Sequence, residues 1–560
     1  MNNSPEGATT TTSRRGFLGL VGLSAVAVAG GGLLSGCSTP AGPRPGTGGA
    51  TAAALDKLTS LTPTHIPYAG VTPDIVGQNG APGGFTKYPT TLVDAITTKP
   101  GKGGHYKAMT PLWGPLPPPL GKNSYFEAVN ADLGATIEFN ILDGMTIIEK
   151  MNAVIAGGDV VDITMIPSWT VNQIPQFGEA VGQLFEDLTP HLQGDAAKKY
   201  PLLANISTDA WKWGVFNGKL TGIPGGYTFP MGLVLLYRKD MFDANDWTAP
   251  KTADEMLALG KEITDPKKKR WAFGDIKLMA YQLFRAPKEW VLSGGKLVHR
   301  YETPEFEASI AFMRKLYEDK LIHPDIVSSK GANAKELFKA GQIVITQDGF
   351  GGWKEMLEQM LPTKPDFWIE ALPHFGHDGG APGYHKSEEP GQYTFVKKGL
   401  GKEKVEEILS LLNYLAAPFG TQENMLSVYG VEGKHFTKNE VGAPKKTDLG
   451  LKEAPPTYFF LSGRPDAITE SELPKYVETA ANWYNEAAKH WAPNPHEGIR
   501  IQRPAKYAAL EQPTEDKIQD VVRGRRPLTE LKQVVDEWRK DGGDESREFY
   551  MKVLQDNGRA

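Results

Sequence analysis

The sequence is 560 residues long, with 40% hydrophobic residues, 12 tryptophans and a formal net charge of −5 at pH 7. This length predicts two or more domains, and the apolar content is sufficient for large cores. Because cationic and anionic side chains are nearly balanced and form no basic stripe, the composition argues against nucleic-acid binding.

The first 36 residues read as an export signal. Ser13, Arg14 and Arg15 open a twin-arginine pattern, which indicates the Tat route, and an apolar run over residues 18–34 follows. Several glycines interrupt this run of about 17 residues, so it is a poor permanent membrane span. We therefore expect residues 1–36 to be a cleaved signal peptide.

The signal ends on a lipobox, Leu34-Ser35-Gly36-Cys37, and Cys37 is the single cysteine of the chain. We expect its thiol to carry the lipid that anchors the protein on the extracytoplasmic face of the cell membrane. With no second thiol, the body cannot contain an internal disulfide and depends on packed cores.

Two stretches between the lipobox and the folded body lack regular patterning. Residues 37–54 are rich in Gly, Pro, Ala and Thr and predict a flexible stalk. Residues 55–103 contain Thr-Pro, Gly-Gly and Pro-Gly breaks, and we expect an irregular segment wrapped around the body.

Strands and helices alternate at the start of the body. Apolar spacing predicts strands over 106–112, 136–142 and 160–166, with helices over 123–133 and 145–155 between them. The last of these strands is almost wholly apolar, as in a parallel sheet covered on both faces. The order predicts an α/β fold, in which ligands bind beyond the carboxyl ends of the strands.

Further motifs follow in a characteristic order. They are NGKLTGIP (217–224), LVLLYRKDMF (233–242), FKAGQIVITQDG (338–349), YLAAPFG (414–420), YGVEG (429–433) and VRGRRPL (522–528). Together they resemble the sugar-binding extracellular solute-binding proteins of ABC importers, and in particular a LipO-like branch for oligosaccharides. The resemblance spans roughly residues 104–555.

The resemblance implies a two-lobed, periplasmic-binding-protein-like (type II) α/β fold with the ligand in a cleft between the lobes. Lobe one would comprise residues 104–228 plus 395–440, and lobe two residues 229–394 plus 441–560. It also implies a monomeric, non-enzymatic protein without a cofactor, which captures a carbohydrate and delivers it to ABC permease subunits driven by their ATPase.

A pyranose offers apolar C–H faces and a rim of hydroxyls, so its site needs aromatic platforms and hydrogen-bonding carboxylates. Trp113 and Trp169 follow predicted strands, and Tyr227 lies in a predicted crossing between the lobes. Asp348 and Trp353 flank a glycine-rich turn at which the family pattern places a site aromatic. Core packing is the alternative for each tryptophan, and turn capping is the alternative for Asp348.

Some relatives of this size carry a calcium loop where this chain has Thr264-Asp265-Pro266 followed by four cationic residues, 267–270. One carboxylate among four cations cannot satisfy calcium, so we expect no metal there. His374, His377 and His385 lie in a loop without the spacing of a zinc hydrolase, and we expect them to be solvated.

Two other functions stay open at this point. A secreted polysaccharide-degrading enzyme would need paired carboxylates, which sequence spacing alone cannot identify in a chain with 66 acidic residues. A surface lipoprotein that binds polysaccharide without transport would share the anchor and the aromatic platforms.

Overall fold

Alternating strands and helices build two separate principal sheets. The computed structural model of the protein describes residues 52–175, 177–225, 231–328, 334–440 and 442–560. Tyr227 and Cys37 lie outside these residues.

In chain order the strands are β1 (Ala52–Ala54), β2 (Gly83–Gly84), β3 (His105–Leu112), β4 (Thr136–Asp143), β5 (Ile163–Pro167), β6 (Val215–Phe216), β7 (Lys219–Leu220), β8 (Gly222–Gly225), β9 (Leu233–Tyr237), β10 (Trp271–Phe273), β11 (Trp290–Ser293), β12 (Lys296–His299), β13 (Ile343–Gly349), β14 (Glu370–Ala371), β15 (Gln392–Val396), β16 (Phe436–Lys438), β17 (Pro444–Lys446), β18 (Ala467–Ile468) and β19 (Ile499–Ile501).

The helices are α1 (Ser124–Leu133), α2 (Ile147–Gly157), α3 (Phe177–Leu184), α4 (Thr189–Leu192), α5 (Pro201–Ala204), α6 (Thr208–Trp213), α7 (Lys239–Ala244), α8 (Ala253–Ile263), α9 (Lys277–Leu283), α10 (Pro304–Glu318), α11 (Pro324–Val327), α12 (Ala334–Lys339), α13 (Phe350–Met360), α14 (Lys402–Leu415), α15 (Gln422–Tyr429), α16 (Asp448–Glu453), α17 (Pro474–Ala487), α18 (Ala505–Ala508), α19 (Glu511–Val522), α20 (Leu531–Trp538) and α21 (Asp544–Asp556).

The first principal sheet has the strand order β4-β3-β5-β15-β8. Strands β3, β4 and β5 run parallel, whereas β15 is antiparallel to both β5 and β8. Helix α1 begins because the Asn123 side chain accepts hydrogen bonds from two amides of its first turn, and it ends at Gly134 in the left-handed conformation. The predicted alternation of three strands and two helices is confirmed.

The second principal sheet has the order β10-β13-β9-β14. Strands β10 and β13 are parallel, and β9 is antiparallel to β13 and β14. The chain passes between the two sheets from β8 to β9 and again from β14 to β15. The carboxyl ends of the parallel strands therefore supply the loops closest to these crossings.

Each sheet has its own hydrophobic core. Helices α1 and α14 cover one face of the first sheet through a cluster that includes Phe126 and Ile408, and α2 and α3 cover the other face. A separate, larger cluster surrounds the second sheet. The core of the first sheet also contains Ala454, Tyr458 and Leu461. The predicted boundaries assign these three residues to lobe two.

The segment predicted to wrap the body consists of a short 3-10 helix, Leu55–Leu61, the two-residue strand β2 and otherwise irregular chain. It touches several cores, because Leu58 packs in the first-sheet cluster, Ala81 in the second-sheet cluster and Phe85 against Phe419. Within the described ranges, no helix combines the length and the apolarity that crossing a membrane requires.

Candidate functional site

The candidate site is the cleft between the ends of β3, β4 and β5 on one side and the ends of β10 and β13 on the other. The loop after β3 reaches across it, because a Cβ built on Gly114 would lie only 3.2 Å from Oε1 of Glu355 in α13. Two elements from different sheets therefore meet at this edge of the cleft.

Trp113 directly follows β3 and is half-buried. Its indole lies against the backbone of Gly144, where an added Cβ would come within 2.6 Å of the ring, and it meets the Phe460 ring edge-on at 6.0 Å. A residue larger than glycine at position 144 would displace the indole. The ring is thus held in place while part of it stays accessible, as a stacking platform requires.

Trp169 is 50% exposed, which is unusual for a tryptophan. Its backbone is nevertheless fixed, because the neighbouring Ser168 amide and hydroxyl both donate to the Gly391 carbonyl, at 3.2 and 3.3 Å. Gly391 belongs to the crossing segment immediately before β15. The indole is therefore presented at the junction of the two sheets on a rigid backbone.

Trp353 is a core residue, and its prediction as a platform is wrong for this structure. The side chain has no exposed surface, its indole nitrogen donates to the Ile369 carbonyl at 3.0 Å, and its ring packs edge-on against Tyr476. It lies in α13, where it shares one buried face with Phe350 and Met356. A ring enclosed on all sides cannot stack on a sugar.

Asp348 lies at the end of β13, beside the N-terminus of α13. One carboxylate oxygen accepts a hydrogen bond from the amide of the next residue, Gly349, at 2.7 Å. The other oxygen has no hydrogen-bond partner among the described residues. Burial raises the pKa of the Asp348 carboxyl above its usual range, and the cation of Lys335 opposes this effect.

Two charged residues that the sequence analysis missed complete this corner of the cleft. Lys335 of α12 donates to Glu355 of α13 at 2.8 Å. Burial alone would lower the pKa of Lys335, but the carboxylates of Asp348 and Glu355 outweigh it and raise this pKa. No local spacing marks either residue, because the ion pair joins the helix that precedes β13 in the chain to the helix that follows it.

Large apolar side chains are also exposed around the cleft. Of the ten large hydrophobic residues exposed in the described part of the chain, four are Trp169, Leu116, Met145 and Leu278. All four lie in loops or helix starts that follow strands of the two sheets. Carboxylates, a cation and exposed apolar surface together suit a ligand with both hydroxyls and C–H faces.

The structure provides no metal-binding group within the residues it describes. The cationic stretch forms a turn with Lys267, Lys268 and Lys269 exposed. Two of the loop histidines, however, are not solvated as expected. His374 contacts the Tyr384 hydroxyl at 2.7 Å, and His385 contacts the Ala286 carbonyl at 2.8 Å. Burial lowers the pKa of both to about 4, so both half-buried rings are neutral at neutral pH.

Comparison with known proteins gives concordant results. Residues 118–420, more than half of the chain, match the family model described as bacterial extracellular solute-binding protein. The polygalacturonan/rhamnogalacturonan-binding protein YtcQ of Bacillus subtilis is 22% identical over 73% of this chain and 83% of its own length. Lipoprotein LipO of the same organism is 23% identical over 59% of this chain and 67% of its own length.

Solved structures show the same fold. The alginate-binding protein AlgQ2, in a crystal structure without calcium ion, superposes with a TM-score of 0.59 at 13% identity, over 82% of this chain and 99% of its own. The N-glycan transport solute-binding protein NgtS of Streptococcus pneumoniae, in complex with Man1GlcNAc, gives 0.57 at 15% identity, over 81% and 98%. The predicted two-lobed α/β fold is confirmed.

Proposed function

The chain belongs to the bacterial extracellular solute-binding protein family, and we propose that it captures an oligosaccharide in the cleft between its lobes and delivers it to an ABC importer. The importer would supply permease subunits and their ATPase. In this scheme the protein is a binding protein and not an enzyme, since the relatives it matches are named as binding proteins or lipoproteins.

The observation that carries the proposal is the exposed indole of Trp169 on a fixed backbone at the junction of the two sheets. A flat apolar ring with about half of its surface free suits the C–H face of a pyranose. Trp113 would provide a second platform on the same side of the cleft, and Asp348 a hydrogen-bond acceptor on the other side. Tyr227, in the segment that joins β8 to β9, completes the proposed set.

The relatives support a carbohydrate as the ligand class. Their names specify polygalacturonan or rhamnogalacturonan, alginate and N-glycan, all of which are saccharides. We propose an oligosaccharide because a loop from one sheet and a helix from the other meet across a cleft with several separate platforms.

We further propose that Cys37 is lipidated after Tat export and that residues 37–54 form the tether. This places the protein on the extracytoplasmic face of the membrane, next to the permease that receives the sugar. The lipobox carries this part of the proposal, and the similarity to a protein named lipoprotein LipO supports it. Several acyl chains contribute about 0.8 kcal/mol per buried methylene, which is enough for stable anchoring.

A thermal-shift panel of oligosaccharides followed by calorimetry tests binding, because a ligand that binds only the folded state raises its stability. We expect at least one oligosaccharide to raise the melting temperature and to be recovered uncleaved after prolonged incubation. Cleavage products would indicate an enzyme instead. Uptake of the labelled sugar by cells lacking this protein, restored by the wild-type chain, separates a transport protein from a surface adhesin.

A further inference from the structure

We infer that the sugar unit bound beside Trp113 carries no carboxylate, so the ligand presents a neutral or amino-bearing ring to Asp348 and Glu355. This inference rests on the proposed function and adds a substrate class to it. It separates this chain from relatives whose names specify polygalacturonan or alginate, both of which are polymers of uronates.

The first argument is the charge at this corner of the cleft. Asp348 and Glu355 bring two carboxylates, and within the described residues Lys335 is the cation that pairs with them, 2.8 Å from Glu355. A Cβ built on Gly114, next to Trp113, would lie 3.2 Å from Oε1 of Glu355, so the cluster lies beside the proposed platform. A ligand carboxylate placed here would add a third anion to one ammonium group.

The second argument concerns the N-terminus of α13. Helix N-termini bind anions through their free amides, and a uronate would find such amides attractive. In this protein Asp348 immediately precedes Gly349, the N-cap residue of α13. Its carboxylate accepts from the Gly349 amide and lies so close to Gly352 that an added Cβ would be 2.7 Å from it. The protein's own carboxylate therefore lies beside the helix terminus and would repel a ligand carboxylate that approached it.

The third argument is hydrogen-bond complementarity. A carboxylate oxygen is an acceptor only, and one oxygen of Asp348 has no protein donor among the described residues. Sugar hydroxyls and ammonium groups can donate to it, whereas an ionised uronate carboxyl cannot. An uncompensated like charge in such a partly buried site disfavours a ligand on the order of tenfold or more.

The experiment compares tetrasaccharides of equal length by calorimetry at pH 7 and low salt. The neutral probes are cellotetraose, mannotetraose and xylotetraose, the amino probe is the glucosamine tetramer, and the acidic probes are tetragalacturonate and tetraguluronate. We expect the best neutral or amino probe to bind at least tenfold more tightly than either uronate. Added salt should reduce this difference, because it screens the repulsion.

Two variants test the assignment to specific residues. Asp348→Asn and Glu355→Gln each remove one charge at nearly constant shape, and each should raise the uronate-to-neutral affinity ratio about fivefold. Glu262→Gln, an exposed change at the end of α8, should leave the ratio unaltered. The ratio is the readout because a general loss of folded protein would weaken both ligand classes equally.

The outcomes separate the two levels of the proposal. Tighter binding of a uronate than of every neutral and amino probe would overturn this inference and leave the proposed function intact. If both variants keep the wild-type uronate-to-neutral affinity ratio, the assignment to Asp348 and Glu355 is overturned. If no saccharide of any class binds, both the proposed function and this inference are overturned.

Discussion

Trp169 and Trp353 were both predicted to be sugar platforms, and the structure predicts opposite results for their replacement by alanine. Trp169 exposes half of its surface, whereas Trp353 exposes none. Trp169→Ala should therefore weaken ligand binding and leave the melting temperature unchanged. Trp353→Ala should lower stability strongly, because it removes a buried indole and its hydrogen bond to the Ile369 carbonyl.

The magnitudes follow from the exposed and buried areas. Half of a tryptophan side chain is roughly 100 Å², which at about 25 cal/mol per Å² contributes about 2.5 kcal/mol when a sugar covers it fully. Partial coverage lowers the contribution to about 1.5 kcal/mol, so the loss of affinity should be about ten- to a hundredfold. A buried Trp→Ala change costs about 3–5 kcal/mol of stability.

Calorimetry with the best-binding tetrasaccharide and thermal melts of the unliganded proteins measure both quantities. Leu292→Ala is the matched control, because Leu292 is 38% exposed in the β11–β12 hairpin and should alter neither quantity. Unchanged affinity in Trp169→Ala would refute the assignment of this ring as a platform. A stable Trp353→Ala protein with lost affinity would refute the distinction between the two residues.

Three further predictions concern anchoring, metal and pH. Cys37→Ala should release the protein from the membrane fraction or block its processing, and a fully processed, membrane-bound variant would contradict the lipobox. Chelators should leave the melting temperature and sugar binding unchanged, because the cations at 267–270 exclude calcium from that turn. A drop in melting temperature that added calcium reverses would contradict this prediction. The pKa of Glu472 is raised to about 8, first by burial and then by Glu358 and Glu470. A raised carboxyl pKa contributes stability at low pH that is lost as the pH rises from about 4.5 to 8. Glu472→Gln should therefore stabilise the protein by on the order of 1–3 kcal/mol at pH 8 and by little at pH 5, as measured by denaturant unfolding. An equal gain in the free energy of unfolding at both pH values would contradict the raised pKa of Glu472.

The sequence around Trp353 contains a signal that this residue packs in the core. Phe350, Trp353, Met356 and Leu357 recur at the three- and four-residue spacing of a helix face that packs on a core. The family pattern at the glycine-rich turn favoured a site aromatic at Trp353, although the helix already begins at Phe350. The period of the apolar residues was thus a better guide than their distance from the turn.

The sequence by itself determined the features that depend on nearest neighbours and on periodicity. The proposed export signal and lipobox are linear motifs, and the strand–helix alternation from residue 104 to 167 follows from apolar spacing and from caps such as Asn123 and Gly134. Trp113 and Trp169 could be selected because the position after a strand in an α/β sheet is set by the topology of the sheet.

Only the tertiary structure decided which side chains meet. Lys335 and Glu355 lie 20 positions apart on separate helices, and Gly114 approaches Glu355 from the other sheet. The exposed fraction of a tryptophan likewise depends on what packs around it from distant parts of the chain. Contacts of this kind depend on how the two sheets face each other, and no local pattern of residues encodes that arrangement.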